Sequence, residues 1–505
     1  MWLDDLIGFF NPKAAYERQM WRHEYEDLKH YDAGSYGRSN AHWRVTNESA
    51  EMTDRSSRDV IRARARDLER NSDIMNSVIS AFKRNIVGEG ITLQAKTGKD
   101  KLNSQLEELW KEWCKPKNCD VTGQQSFNQL LRMMVERKRV DGGILIHKCY
   151  TSQGILPFQL QLLEVDELSS YWQSPHEAGN KVVGGIEYNS YNKPVGYWIT
   201  KYSVDGLEQP VAEYYDAKDI IFYYSKKRPS QIREISDLAP SLTRVRDTNE
   251  FMTAVSVKER IAACLSVFIK KTNPSGGFGR SNSTATAAAN SYSGKMLTPG
   301  MITELNAGDE IQVVDPKNNG VEATGYLKLQ QHLIGAGQGL SYEATSRDMS
   351  QTNYSSARQG AIEDGMTYTE EKEILLNVMS EIYETFVISA WLTGIVKMPG
   401  FFEGSEKKRS YLAHEWISSP KRWVDPQKEA NANKIALASG IRTFKQICAE
   451  QGIDWHAQID DMAEVIEYAK TKNIDIGGVI YGKDAGLSSE QNIDENENVG
   501  DDENT

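Results

Sequence analysis

The apolar spacing of this chain changes period twice, and that switch restricts what it can become. Residues 56–87 carry Val60, Ala63, Leu68, Ile74, Val78, Ile79 and Phe82 at helical intervals and stop at Gly88 and Gly90. Residues 102–113 repeat the pattern before Pro116, and 126–140 open on a Ser suited to capping and end at Gly142 and Gly143. Segments 144–150, 158–165, 182–188, 195–202 and 220–224 are instead short, aromatic and β-branched, which predicts strands. Turn chemistry at 189–194 joins two of them, so a meander or small barrel is expected between Gly143 and Ser225. Helical spacing then resumes, and an α+β class follows.

In the second half, a helix over 239–271, with Pro240 at its start and Thr272-Asn273-Pro274 at its end, would run about 50 Å. Residues 273–300 are rich in Ser, Gly, Asn, Thr and Ala, and 276–294 are expected to be mobile. A hairpin is predicted from 301–305 and 310–314, and a helix from Tyr326. Residues 356–391 predict another helix through Ile362, Met366, Ile374, Leu375, Val378, Ile382, Phe386 and Val387, and 426–439, 442–451 and 459–473 predict three more. At the amino terminus, 1–40 mixes aromatic and charged residues without one period and reads as an arm. Residues 476–505 form an acidic tail, expected to be disordered, in which 487–505 hold no basic residue.

Residues 339–358, between two helical segments, read G-L-S-Y-E-A-T-S-R-D-M-S-Q-T-N-Y-S-S-A-R. Thirteen of the twenty are Ser, Thr, amide or charged residues and none is proline, so a loop built this way needs many hydrogen-bond partners. A catalytic site is the first use to test. The nearest approach to a phosphate loop, G-G-V-I-Y-G-K-D at 477–484, puts Asp484 where Ser or Thr would hold magnesium, and a carboxylate there repels phosphate. Gly335, Gly337 and Gly339 follow no clear strand and precede no Lys, so they read as a hinge rather than a phosphate cradle. No H-E-x-x-H or G-x-S-x-G occurs, the eight histidines are scattered, and the five cysteines form no C-x-x-C pair. No catalytic residue, metal ligand or cofactor is expected.

The net charge of −12 opposes tight wrapping of nucleic acid, which runs on phosphate neutralisation, so any contact with DNA should be loose or local. The apolar stretch 261–269 is too short to cross a bilayer, and Asp4 and Asp5 stand where a secretory signal needs positive charge, so no membrane partner is expected. Arg58, Arg62, Arg66 and Arg70 recur at four-residue steps and form one stripe on a helix, with Arg55 and Arg64 nearby and Asp59, Asp67 and Glu69 among them. Two readings stay open: a solvated, internally paired face, or a contact with a neighbouring subunit or DNA. Lys226, Lys227, Arg228 and Arg233 form a second basic cluster, either a solvated turn or a loop at a subunit contact.

Four ordered blocks carry a family likeness. Arg66-Asp67-Leu68 and Arg70-Asn71 with Asn85-x-Val87-Gly88-x-Gly90-Ile91 come first, then Lys227-Arg228-Pro229-x-Gln231-x-Arg233 with Leu238-Ala239-Pro240. The third is Thr352-Asn353-Tyr354-Ser355-Ser356-Ala357-Arg358. The fourth runs from 416–420 through Trp423-Val424-Asp425-Pro426-x-Lys428-Glu429 to Gly440-Ile441-x-Thr443 and Gly452-Ile453-Asp454. Over most of its length the chain resembles the lambda-type family of bacteriophage portal proteins. It departs from the family at Glu234, where Gly is usual, and in Phe222-Tyr223-Tyr224, which lacks the usual histidine.

The resemblance implies an α+β, multi-domain portal fold, mostly α-helical, with a small β-rich region in the wing and a short β hairpin in the clip. The implied segments are an amino-terminal arm (1–40), wing (41–238), stem helix (239–271), clip (272–325) and second stem helix (326–338). A tunnel loop (339–355), a wing and crown helix region (356–424), crown helices (425–475) and the tail (476–505) complete the chain. It also implies a homo-dodecameric ring at one capsid vertex that nucleates head assembly and passes double-stranded DNA, without sequence preference, during packaging and ejection. The implied partners are the terminase large subunit, an ATPase, the major capsid protein or scaffold, and a head-tail adaptor. The implied location is the virion, and the host cytoplasm during assembly. Arg347, Ser350, Gln351, Asn353 and Tyr354 are the implied DNA-contacting side chains, with Arg347 alternatively paired to Asp348 or a neighbour's carboxylate. Gly335, Gly337 and Gly339 would be the loop hinge, and Arg358, Arg228 and Arg233 contacts between subunits. A non-channel capsid or scaffold-associated protein is the alternative.

Overall fold

The computed structural model describes residues 12–27, 32–34, 38–207, 211–263, 267–271, 309–313, 320–418 and 426–474. The chain divides into two compact units, 1–57 with 226–233, and 58–225 with 234–505. In the first, helix α1 (Pro12–Asp27) exposes Tyr16, Trp21 and Tyr25, and a short α2 (Ala50–Asp54) comes later. The Ala50 N–H donates to Ser230 Oγ at 3.0 Å and the Arg228 guanidinium donates to Glu48 O at 2.8 Å, which ties the 226–233 loop to the start of α2.

The second unit opens with α3 (Arg58–Asn71) and α4 (Asp73–Ile86). The sequence predicts one helix over 56–87; the chain makes two, because Ser72 turns to φ −124°, ψ 120° and caps α4 by accepting from Met75 N. Val60 and Ala63 consequently face solvent, and Arg58, Arg62, Ala65 and Leu68 are buried instead. After β1 (Thr92–Ala95) come α5 (Asp100–Trp113), α6 (Pro116–Cys119) and α7 (Phe127–Asp141). α7 has the ends its sequence signals, a Ser126–Gln129 capping box and Gly142 at φ +93°. A Cβ at Gly142 would sit 2.5 Å from the Ile235 carbonyl carbon, so only glycine fits.

Seven strands come next: β2 (Gly143–Cys149), β3 (Gln159–Leu163), β4 (Lys181–Val183), β5 (Ile186–Tyr188), β6 (Pro194–Ile199), β7 (Glu213–Asp216) and β8 (Ile220–Tyr224). They build two antiparallel sheets rather than one meander or barrel, ordered β3-β2-β8 and β4-β5-β6-β7. Both edges of β2 are taken, by β3 and by the returning β8, which leaves it no edge for the other strands. The predicted strand 182–188 is cut by Gly184 and Gly185, both at positive φ.

α8 (Leu242–Ala263) ends well before residue 271 and spans about 33 Å. Val267-Phe268-Ile269 favours an extended backbone, and β9 (Val267–Lys271) pairs antiparallel with β10 (Asp309–Val313), Ile269 opposite Ile311. The described partner of β10 is therefore β9; the predicted partner at 301–305 and the stretch 276–294 lie outside the described residues. α9 (Gly320–Gly337) starts earlier than expected, α10 (Tyr342–Ser346) is a short helix inside the polar loop, and α11 (Tyr354–Leu392) runs 39 residues, about 58 Å. α12 (Ser405–Tyr411) and β11 (His414–Ile417) carry no clear sequence signal, and β11 pairs with β1. α13 (Pro426–Ala438), α14 (Phe444–Glu450) and α15 (Trp455–Thr471) fall near their predicted places, and the acidic tail lies outside the described residues.

The main core gathers the apolar faces of α4, α5, α7, β2 and the second half of α11. Trp110 and Trp113 stack at 4.9 Å, with Phe127, Tyr383 and Phe386 edge-on to Trp110. Trp113 Nε1 donates to Phe158 O at 2.9 Å, so the buried indole keeps its hydrogen bond. A smaller cluster of Leu145, Leu163, Ile186, Tyr197, Ile199 and Ile220 joins the two sheets.

Candidate functional site

The polar loop is built on helix caps. α9 ends where Leu340 N–H donates to Gly335 O at 2.9 Å and Gly339 N–H to Ala336 O at 3.1 Å, with Gly339 at φ +69°. This is the Schellman pattern, and it needs a residue that tolerates the left-handed region. A Cβ on Gly335 would stand 2.8 Å from Leu340 O, and one on Gly337 3.0 Å from Ser241 Oγ, so the chain can double back closely only without side chains here. Buried Gln338 donates to Ser241 Oγ at 3.0 Å, which fixes the turn to the base of α8. The three glycines expected as a hinge thus lie in the last turn of α9 and its cap.

Beyond this cap the loop is anchored on α11. Ser341 donates from its backbone N–H and its Oγ to the two oxygens of Asp364, at 2.6 and 2.7 Å, while the same Oγ accepts from Ala344 N and starts α10. Thr367 Oγ1 donates to Gly339 O at 2.7 Å. α10 stops at Arg347, whose φ of +59° is left-handed, at a cost of roughly 1–2 kcal/mol for a residue with a Cβ. Asp348 accepts from Ser350 N at 3.0 Å and from Tyr342 OH at 3.3 Å. Hydrogen bonds from Ser350 hold its carboxyl below the usual range, so it is anionic at neutral pH. The loop closes on Asn353, which forms a capping box with Ser356 and starts α11.

Arg347, Ser350, Gln351 and Asn353 are exposed, while the Tyr354 side chain lies outside the described part. Arg347 makes no ion pair with another described residue, so the Asp348 pairing is absent within this chain. Of the three arginines expected at subunit contacts, Arg358 and Arg228 are exposed. Arg233, by contrast, is 1% exposed in the single chain, so it offers no surface to a neighbour there.

The arginine stripe is paired within its own chain, as one of the two readings has it, but Arg58 and Arg62 are turned inward rather than solvated. Arg62 meets Glu234 at 3.0 Å, Asp166 at 3.0 Å and Asp59 at 2.6 Å, and Arg66 meets Asp141 at 2.6 Å, Asp166 at 2.6 Å and Glu164 at 3.0 Å. Arg58 Nε donates to Glu234 O at 3.2 Å, and Arg70 faces solvent. Burial opposes the charge on Arg66, yet Asp141, Asp166 and Glu164 raise its pKa further above the ordinary range. Glu234, where the family tends to have glycine, supplies both a carboxylate and a carbonyl to the stripe. A 340 Å³ cavity beside these groups is lined by Asp59, Arg62, Arg66, Asp166, Ser169 and Tyr171 among others, and its arginines are already paired.

Sequence spacing also misses two further groupings. Lys138, 1% exposed, pairs with Asp237 at 3.1 Å and with Glu371 of α11, and Lys148 with Glu381 of α11 at 2.6 Å. Cys149 Sγ lies 3.1 Å from His147 Nδ1. Burial pushes the thiol up to about 11 and lowers the imidazole, so the pair is neutral and a poor nucleophile. Among the described residues no group of three or more His, Cys, Asp or Glu is placed to hold a metal ion, and no helix is long and apolar enough to cross a membrane.

The pattern that defines the phage portal protein, lambda family, matches residues 36–372. A probable portal protein of Halomonas phage phiHAP-1 is 23% identical over 432 residues, 82% of this chain and 82% of that protein. The portal protein of Escherichia phage N15 is 22% identical over 477 residues, 84% of this chain and 87% of its own. Portal protein B of Escherichia phage lambda is 21% identical over 437 residues, 78% and 80% respectively.

Proposed function

The chain belongs to the lambda family of phage portal proteins, and on that premise we propose that it is the channel subunit of a phage head. Twelve copies close into a ring at one capsid vertex, nucleate head assembly, and pass double-stranded DNA inward during packaging and outward during ejection. The ATP chemistry belongs to a terminase large subunit docked on the ring; a head-tail adaptor replaces it later, and capsid protein or scaffold surrounds it. Residues 41–238 serve as wing, 239–271 with α8 as stem, 272–325 as clip, 326–338 as second stem helix and 425–475 as crown. The observation that carries this reading is the loop itself. It is pinned at one end by Asp364 and at the other by the Asn353 cap, and between them it exposes Arg347, Ser350 and Gln351. An arginine kept in a left-handed position that Gly or Asn would fill with less strain favours a use for its side chain.

Elementary geometry agrees with a channel. Twelve helices, each about 10 Å wide and set side by side, leave a lumen of about 28 Å, enough for a duplex and a water layer, whereas six leave too little. With −12 on each chain the ring is acidic and repels phosphate, which suits sliding rather than holding. Asn353→Ala combined with Tyr354→Ala should leave ring assembly intact while packaging or genome retention falls. Normal packaging by that variant would remove the loop from the mechanism, and an electron-microscope average without a central hole would favour a non-channel capsid protein.

A further inference from the structure

Two apolar stripes on the helices that flank the loop have no cover within the chain. On α9, Tyr326, Leu329 and Leu333 are 38%, 54% and 41% exposed at i, i+3, i+7 spacing, while neighbouring Ile334 is buried. On α11, Ile362 and Met366 are 47% and 53% exposed at i, i+4, in line with exposed Arg358 one turn earlier, while Tyr368 and Leu375 enter the core. Scattered exposed apolar residues need no explanation, but rows of them along one helix mark a contact surface. The charges beside the rows differ in sign. Exposed Glu363, Glu370 and Glu373 accompany the α11 row, whereas exposed Arg244 of α8 reaches Gln330 of α9, beside the α9 row, at 3.1 Å.

We propose that the α9 stripe of one copy packs against the α11 stripe of the next copy, with Arg244 facing Glu363 and Glu370. The contact rests on the reading of this protein as a ring and adds which faces meet. It joins two different patches, so it is heterologous: each copy offers both faces, and the contact propagates around a ring instead of ending at a pair. Arg358, in the α11 row, then lies at the subunit boundary.

The test uses the full chain in two variants, Leu329→Glu with Leu333→Glu on α9, and Ile362→Glu with Met366→Glu on α11. The replaced side chains are solvent-exposed in the single chain, so each variant should keep the wild-type helix content by circular dichroism. By native mass spectrometry, at concentrations where the wild type is fully ring-shaped, each variant alone should be monomeric. An equimolar mixture should give dimers and nothing larger, because the intact α11 face of one variant meets the intact α9 face of the other. Rings from either variant alone, dimers from a single variant, or a mixture that stays monomeric would each overturn the contact. Absence of rings from the wild type would instead overturn the ring reading on which it rests.

Discussion

Arg62→Met should destabilise the larger unit by about 3–5 kcal/mol, the usual cost of removing one partner from a buried ion pair. The Arg62 side chain is 7% exposed and its partner Glu234 is 0% exposed, so that carboxylate would lose a close cation while staying out of water, whereas Asp166 keeps Arg66 at 2.6 Å. Asp59, at 76% exposure, would simply re-solvate and contributes little. In a unit as large as 58–225 with 234–505, at about 2.1 cal/mol/K of unfolding entropy per residue, each kcal/mol moves the melting midpoint by about 1–1.5 °C, which places the variant about 3–8 °C below the wild type. Arg70→Met removes the same charge from the same helix at an exposed position and should stay within about 0.5 kcal/mol. Calorimetry of both variants at low salt and in 1 M salt would measure the gap, which should survive salt because buried pairs are little screened. Adding Glu234→Leu to Arg62→Met should recover much of the loss by replacing an ion pair with an apolar one. Equal midpoints for the two single variants would refute the inward-facing stripe.

Asp364→Ala removes both hydrogen bonds to Ser341, so the amides of Ser341 and Ala344 should exchange with solvent roughly ten- to a hundredfold faster; unchanged protection would mean another anchor holds the loop. Gly335→Ala, whose Cβ would meet Leu340 O at 2.8 Å, should lose about 1–3 kcal/mol by thermal melting. Gly325→Ala, in the same helix with nothing within 4 Å, should gain up to about 1 kcal/mol, and similar effects at the two positions would contradict the tight cap. Because burial raises the Cys149 thiol to about 11, its alkylation by iodoacetamide should keep accelerating as pH rises through 9 to 11; a rate already level at pH 9 would show an ordinary thiol.

What could be read from the sequence is what local chemistry decides. Ser126 and Gly142 bound α7 because a capping hydroxyl and a left-handed glycine act within one turn, and the polar run at 339–358 announces a hydrogen-bonded loop for the same reason. Distant partners decide the rest. The arginine stripe could be seen by spacing, but apart from Asp59 its carboxylates lie 75 to 172 residues away along the chain, and only the fold brings them to it. α8 falls short of residue 271 because β9 pairs with β10, which local propensity around 267–271 hints at but cannot require. In the loop, composition could not separate donors spent on caps, such as Ser341, from those left facing outward, such as Ser350 and Gln351.

α11 carries both the loop's anchors and the charges that fix its base, and their unequal strength locates where motion can occur. Asp364 holds the loop with two hydrogen bonds and Thr367 with one, each worth about 0.5–3 kcal/mol. Further along the same helix, Glu371 pairs with buried Lys138, Glu381 with Lys148, and Tyr383 and Phe386 pack on Trp110. Displacing that half would strip the Lys138 ion pair and the buried aromatic contacts together, at a higher cost. Between Arg347 and Gln351 the chain has only local bonds, chiefly Ser350 to Asp348, with none to α11 among those described. A load on the loop should therefore move the 347–351 tip over a stationary helix before it loosens Asp364. Hydrogen exchange should show it as fast exchange at 348–351 beside protected amides at 340–345, and equal protection across both would place the flexible point elsewhere.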